Sequence, residues 1–224
     1  MTTERELTEK LAAFFPSHRD VIVGIGDDAA VVRQRHEQSV LCCDPVIAGI
    51  HFDTNAPMNL VGKKAVNRNL SDLAAMGACA DWLLVSLILP STMESRQWTS
   101  LLRGIRAAAQ AADCLVVGGD IATSPGPLVV TVSAFGHLPG RPLTRSGARV
   151  GDTLHVSGPL GGSRLGHHLR FRPALAEGVW LAQQPSVSAA MDISDGLLLD
   201  LATMLRASSK NGAPLGAASN ANRE

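Results

Sequence analysis

From Pro57 to Gly136 the chain alternates helix and strand patterns in a fixed order: MNLVGKKAVNRNLSDLAAMG, DWLLVSLILP, MESRQWTSLLRGIRAAAQAA, CLVVGG, PLVVTVSAFG. The first has helical spacing and stops at Gly77; the second is a buried strand ended by Pro90. A second helix and two strands follow. Upstream, VIVG, AAVV and SVLCCD read as short strands, and Thr3 with Glu6 resembles a capping box opening a helix to about Phe15, before Pro16. This order predicts an α+β first domain over 1–138.

PGRPLTRSGARVGD is a loop-rich joint. A second unit over 139–224 begins with TLHVSG and GGSRLGHHLRF and reaches the helical pattern MDISDGLLLDLATMLRAS. After Ser208 the sequence SKNGAPLGAASNANRE is small and polar, which predicts a disordered tail from about residue 209 and an unfinished second domain.

A chain of 224 residues that is 46% hydrophobic can bury a substantial core. Its formal net charge of zero gives no electrostatic reason to expect nucleic acid or an anionic membrane as partner. No apolar run reaches the roughly 20 residues of a membrane span, and MTTERELTEKLAAFF is amphipathic rather than signal-like, so a cytoplasmic protein is expected. Cys42, Cys43, Cys79 and Cys114 show no CxxC spacing and read as reduced thiols.

Aspartates carry the chemical signal. In GIGDDAAVV, Asp27 and Asp28 sit together behind Gly24 and Gly26, and two such carboxylates repel unless a cation lies between them. The competing reading is an Asx-turn or a solvated loop. Asp44 closes SVLCCD, and Asp120 follows Gly118 and Gly119 at the end of CLVVGG, where open sheets place ligands. Asn69 and Asp72 share one face of an otherwise apolar helix, which is either a polar patch turned inward or a solvent-facing stripe. Asp192, Ser194 and Asp195 precede a helix that Asp195 could simply cap.

Dispersed hard oxygen ligands suit magnesium held partly by nucleotide phosphates, and Arg145 in TRSGAR could add a bidentate phosphate contact. GxxxxGK[ST], GxGxxG and the protein-kinase signatures are absent, so phosphoryl chemistry here needs another fold.

GIGDDAAVV, DPVIAGIHF, NLSDLAAMGA, VVGGD, TRSGARVGD with VSGPLGGS, and MDISDGLLLDL together resemble the thiamine-monophosphate kinase family, in the superfamily that includes aminoimidazole ribonucleotide synthetase. The resemblance implies the two-domain α+β architecture of that superfamily: an N-terminal mixed-sheet domain, which pairs into a homodimer, and an incomplete C-terminal α/β domain. It implies transfer of a phosphoryl group from MgATP to thiamine monophosphate. By motif it implies Asp27, Asp28, Cys43, Asp44, Asp72, Asp120, Asp192 and Asp195 as magnesium ligands. Gly119, Asp120, Arg145 and Ser194 would contact ATP, and His51 the thiamine monophosphate. No side chain is expected to act as a covalent or acid–base catalyst.

The chain departs from the family's Ser-Thr-Asp-Thr at Cys42, Cys43, Asp44 and Pro45, from GGDT at Ile121, and from a frequent Pro-Arg at Pro173-Ala174. A thiol is a poor ligand for a hard cation, which leaves a backbone carbonyl to serve at that place. The family's later GGEDYEL-like motif and late aromatic are also absent. The alternative reading is therefore a catalytically incompetent Mg-nucleotide-binding or dimerisation fragment of such a kinase.

Overall fold

The computed structural model describes residues 4–15, 17–25, 29–33 and 36–209. Chain order runs α1 (Glu4–Phe14), β1 (Val21–Val23), β2 (Val31–Val32), β3 (Ser39–Ile47), α2 (Met58–Ala75), β4 (Cys79–Pro90), α3 (Ser95–Ala111), β5 (Leu115–Ser124) and β6 (Val129–His137). Two 3-10 turns, Ser163–Leu165 and His167–Leu169, then lead to α4 (Leu175–Ala182) and α5 (Leu197–Ser209). Thr3 and the segment from residue 210 lie outside the described residues.

The sheet is mixed, in the order β3-β6-β4-β5. β4 and β5 are parallel, which requires a crossover, and α3 supplies it; β6 runs antiparallel to both β3 and β4. Alternation along the strands sends Val46, Val130, Val132, Ala134, Leu83, Val85 and Leu87 to the face covered by α2 and α3, where all are buried. The opposite face keeps Leu41 62% exposed and Ile88 39% exposed.

The two edge strands run further than the apolar runs suggest. β3 continues through Asp44 and Pro45, and β5 through Asp120 to Ser124, so both aspartates lie inside strands rather than at their ends. An edge strand can carry a proline, whose missing N–H costs no ladder bond on the open side, and polar side chains that reach water. After His137 the described residues form only helices and turns. Residues 151–160, which include TLHVSG, are exposed and form no strand, since an extended segment needs a neighbour for its backbone groups. No helix among the described residues is long and apolar enough to cross a membrane.

α2 is the hub. Gly62 lets it approach α3 so closely that a Cβ there would lie 2.3 Å from the Leu101 carbonyl oxygen, and Gly104 of α3 meets the Asn59 carbonyl oxygen at 2.0 Å in the same sense. Gly178 of α4 makes the equivalent contact with the Ala74 carbonyl oxygen, at 2.1 Å. All three obstacles are backbone, which cannot swing aside. Gly104→Ala is expected to lower unfolding stability by about 1–3 kcal/mol. Gly140→Ala, where an added Cβ meets nothing within 4 Å, is the control, and chemical denaturation of both variants checks it.

Candidate active site

The buried Asn69 side chain joins α2 to the edge strand β3. Its Oδ1 accepts the Asp44 amide at 2.9 Å, while its Nδ2 donates to the Ala65 carbonyl at 3.0 Å and the Asp44 carbonyl at 3.4 Å. Asn69 is thus consumed by the fold. Its partner at helical spacing, Asp72, is left half-buried, with no hydrogen bond to its carboxylate from the described residues. Of the two readings of that polar patch, the inward one is realised.

Around Asp72 the structure gathers Asp44 from β3, Asp192 from the segment before α5, Arg68 from α2 and Arg145 from the loop after β6. Burial first, then the like charges of Asp192 and Asp44, push the Asp72 carboxyl up to about 6, against the pull of Arg68 and Arg145. Asp192 is also raised, mainly by burial, although Ser71 donates to its Oδ2 at 3.3 Å. Arg68 Nε donates to Asp44 Oδ2 at 2.7 Å. Three carboxylates thus share a desolvated corner with two guanidinium groups.

These donors are all hard oxygens, as magnesium requires. Among the described residues no three of His, Cys, Asp and Glu form a ready-made metal cage.

Not every expected residue joins this corner. Asp27 and Asp28 lie outside the described residues. Cys43 points to the other face of the sheet, where the Ser133 hydroxyl donates to its sulfur at 3.3 Å, because adjacent strand residues alternate sides. Its thiol cannot meet Asp44 on this face. Asp120 pairs in register with Ser86 and is exposed on the far edge strand, away from Asp72. Gly119 has a structural reason of its own: its φ is 150°, and a Cβ there would lie 1.9 Å from the Val85 carbonyl oxygen.

Cys42 faces the site side and behaves as a hydroxyl substitute. Burial, Asp72 and Asp44 push its thiol up to about 12, so it stays protonated and donates to the Asn69 carbonyl at 3.3 Å. His51 follows β3, and its Nδ1 accepts the Ile47 amide at 3.1 Å. Burial, then Arg68 and Lys64, hold it below the usual histidine range, against the pull of Asp44.

Ser194 and Asp195 are exposed in the turn before α5, and the residue that fixes them is Asp200. This buried carboxylate accepts three amides on one oxygen, from Ser194 (2.9 Å), Asp195 (3.0 Å) and Gly196 (3.1 Å). Arg68, Ser71 and Asp200 are the site-supporting residues that sequence reading missed. The spacing of Arg68 and Ser71 with Lys64 and Asn67, at i, i+3, i+4 and i+7 on α2, was the available signal for the first two.

Residues 26–138 match the family described as AIR synthase related protein, N-terminal domain. The mixed sheet backed by α2 and α3, with carboxylates at its edge, is the fold of that class. The chain is 41% identical to a thiamine-monophosphate kinase of Rhodopirellula baltica over 87% of its own length, and spans 64% of the length of that relative. The crystal structure of thiamine-monophosphate kinase from Stenotrophomonas maltophilia superposes with a TM-score of 0.79 at 32% identity, covering 91% of this chain and 71% of that one. A second structure, AaThiL complexed with AMPPCP and TMP, gives 0.69 at 28% identity over 83% of this chain and 65% of that chain. The chain belongs to the thiamine-monophosphate kinase family.

Asp200→Ala strands three amides at once, and each hydrogen bond to a charged group contributes about 1.5–3 kcal/mol. Amide exchange at 194–196 is expected to accelerate by more than tenfold while the sheet amides of β4 and β6 keep their protection, and hydrogen-exchange mass spectrometry reads both.

Proposed function

We propose that this chain carries the phosphoryl-transfer site of a thiamine-phosphate kinase, in which ATP gives its terminal phosphoryl group to thiamine monophosphate, yielding thiamine diphosphate and ADP. The observation that supports this best is the convergence of Asp44, Asp72 and Asp192 with Arg68 and Arg145 at the seam between the two units. Phosphoryl transfer asks a protein mainly to position two phosphates and to answer their charge.

In this reading Asp44, Asp72 and Asp192 hold magnesium together with Asp27, Asp28 and Asp195, and Cys43 offers only its backbone carbonyl. Bound magnesium would neutralise the repulsion between the two phosphate chains and align them for in-line transfer. Arg145, Ser194, Gly119 and Asp120 contact the nucleotide. His51 donates from Nε2 to the thiamine monophosphate, since its Nδ1 is already occupied by the Ile47 amide. Residues 1–138 form the nucleotide and metal domain, and 139–224 the part of the second domain that faces it.

The same reading includes a homodimer. β3 and β5 are the edges of the sheet, and Leu41 and Ile88 lie on its uncovered face. Pairing the β3 edge of one copy with the β5 edge of another would protect both edges. It would also bring Asp120 and Gly119 of the second copy beside Asp44, which accounts for their distance from Asp72 within one chain. Such an enzyme works in the cytoplasm with small-molecule partners and needs neither nucleic acid nor membrane.

Incubation of the purified chain with MgATP and thiamine monophosphate, read by the fluorescent oxidation product of thiamine diphosphate, tests the proposal. Asp72→Asn is expected to lower turnover by more than about 100-fold, the scale lost with a key electrostatic group. It is also expected to raise the melting temperature of the metal-free protein, because it removes one of three crowded charges. Saturable MgATP binding with no product from a folded wild-type chain would instead establish the incompetent-fragment reading.

A further inference from the structure

Lys64, halfway along α2, is half-buried, and among the described residues no carboxylate stands within ion-pair distance of it. Its ammonium donates instead to the His51 carbonyl and lies 2.6 Å from His168 Nδ1. An ammonium has protons to give and no lone pair to receive one, so His168 Nδ1 is the bare nitrogen and its ring proton sits on Nε2. His51 is locked the same way, because its Nδ1 accepts the Ile47 amide. One turn along α2, Asn67 Nδ2 donates to the Phe171 carbonyl at 2.8 Å and ties the segment bearing His168 to the same helix face.

The result is one ammonium beside two imidazoles, each with its Nδ1 already engaged and its ring proton left on Nε2. Arg68, the other cation nearby, is engaged by Asp44. We propose that Lys64, His168 and His51 form a single anion-binding face that takes the phosphate monoester of the acceptor, with Lys64 setting the tautomer through which His168 donates. A dianionic phosphate oxygen set matches an ammonium plus two neutral N–H donors, and each such charge-assisted bond is stronger than a neutral one. Burial and the neighbouring cations hold both histidines below their usual range, His51 against the opposing influence of Asp44 and His168 against that of Asp53. The identity of the acceptor rests on the kinase reading above; the anion face does not.

Long-range proton–nitrogen NMR of the nitrogen-15-labelled full chain reads the ring tautomers directly, without nucleotide or magnesium. His51 and His168 are expected as Nε2–H tautomers, and inorganic phosphate is expected to move both along one saturation curve. The exposed neighbour His167 should stay still and serves as reference. Thiamine monophosphate should compete for the same signals. Lys64→Met is expected to release the His168 tautomer and weaken phosphate by at least about tenfold, as loss of a charge-assisted bond implies. Lys64→Arg should restore part of it, and His168→Gln, at a turn rather than in the core, should weaken phosphate without lowering the melting temperature.

An Nδ1–H tautomer at His168, or phosphate that moves neither ring or moves His167 equally, overturns the proposal. Phosphate that binds as described but is not displaced by thiamine monophosphate would keep the anion face and overturn the thiamine acceptor instead.

Discussion

The hydrogen bonds of Asn69 are the constraint on which the rest of this structure depends. A fully buried amide must find partners, and here they are backbone groups of α2 itself and of the edge strand β3. That requirement fixes the rotation of α2 about its axis. Val61, Ala65, Leu70 and Leu73 then fall into the core, while Lys64, Asn67, Arg68 and Ser71 form a polar stripe along the opposite side. A rotation of α2 would break the amide network and expose the apolar face together.

The stripe is where segments that follow β6 dock. Asn67 holds the Phe171 carbonyl, Ser71 holds Asp192, and Lys64 meets His168, so these three engage segments far along the chain, while Arg68 turns to Asp44 of β3. Close backbone contact through Gly178 seats α4 on the end of the same helix. The seam is therefore polar along its length and tightly packed at one end. Its carboxylates raise the Asp72 carboxyl by like charge and are held near it by this scaffolding.

Much of the fold was legible because its signals are local. Helical spacing from Pro57 to Gly77 and the apolar run DWLLVSLILP gave α2 and β4 almost to their ends, and MESRQWTSLLRGIRAAAQAA gave α3. The ends of β3 and β5 were not legible, since an edge strand continues into polar sequence whenever its open side faces water. Asp72 could be singled out as an oddity in an apolar helix, whereas Arg68 beside it looked like an ordinary surface arginine. Asp200 could not be singled out at all. Its role is to accept three amides of a turn, and turn geometry has no counterpart in side-chain spacing.

By itself the sequence determined the class of the protein: the order of helices and strands in the first unit, and the acidic motifs that make it a member of the thiamine-monophosphate kinase family. These follow from hydrophobic period and from residue type, which are properties of neighbouring positions. Tertiary structure alone decided which carboxylates meet. Cys43 and Asp44 are adjacent in the chain yet face opposite sides of a sheet, while Asp72 and Asp192 are far apart in the chain yet close enough for each charge to be felt. Electrostatic interaction depends on distance through space and on burial, and only the packing of α2 against β3 and the second unit fixes either.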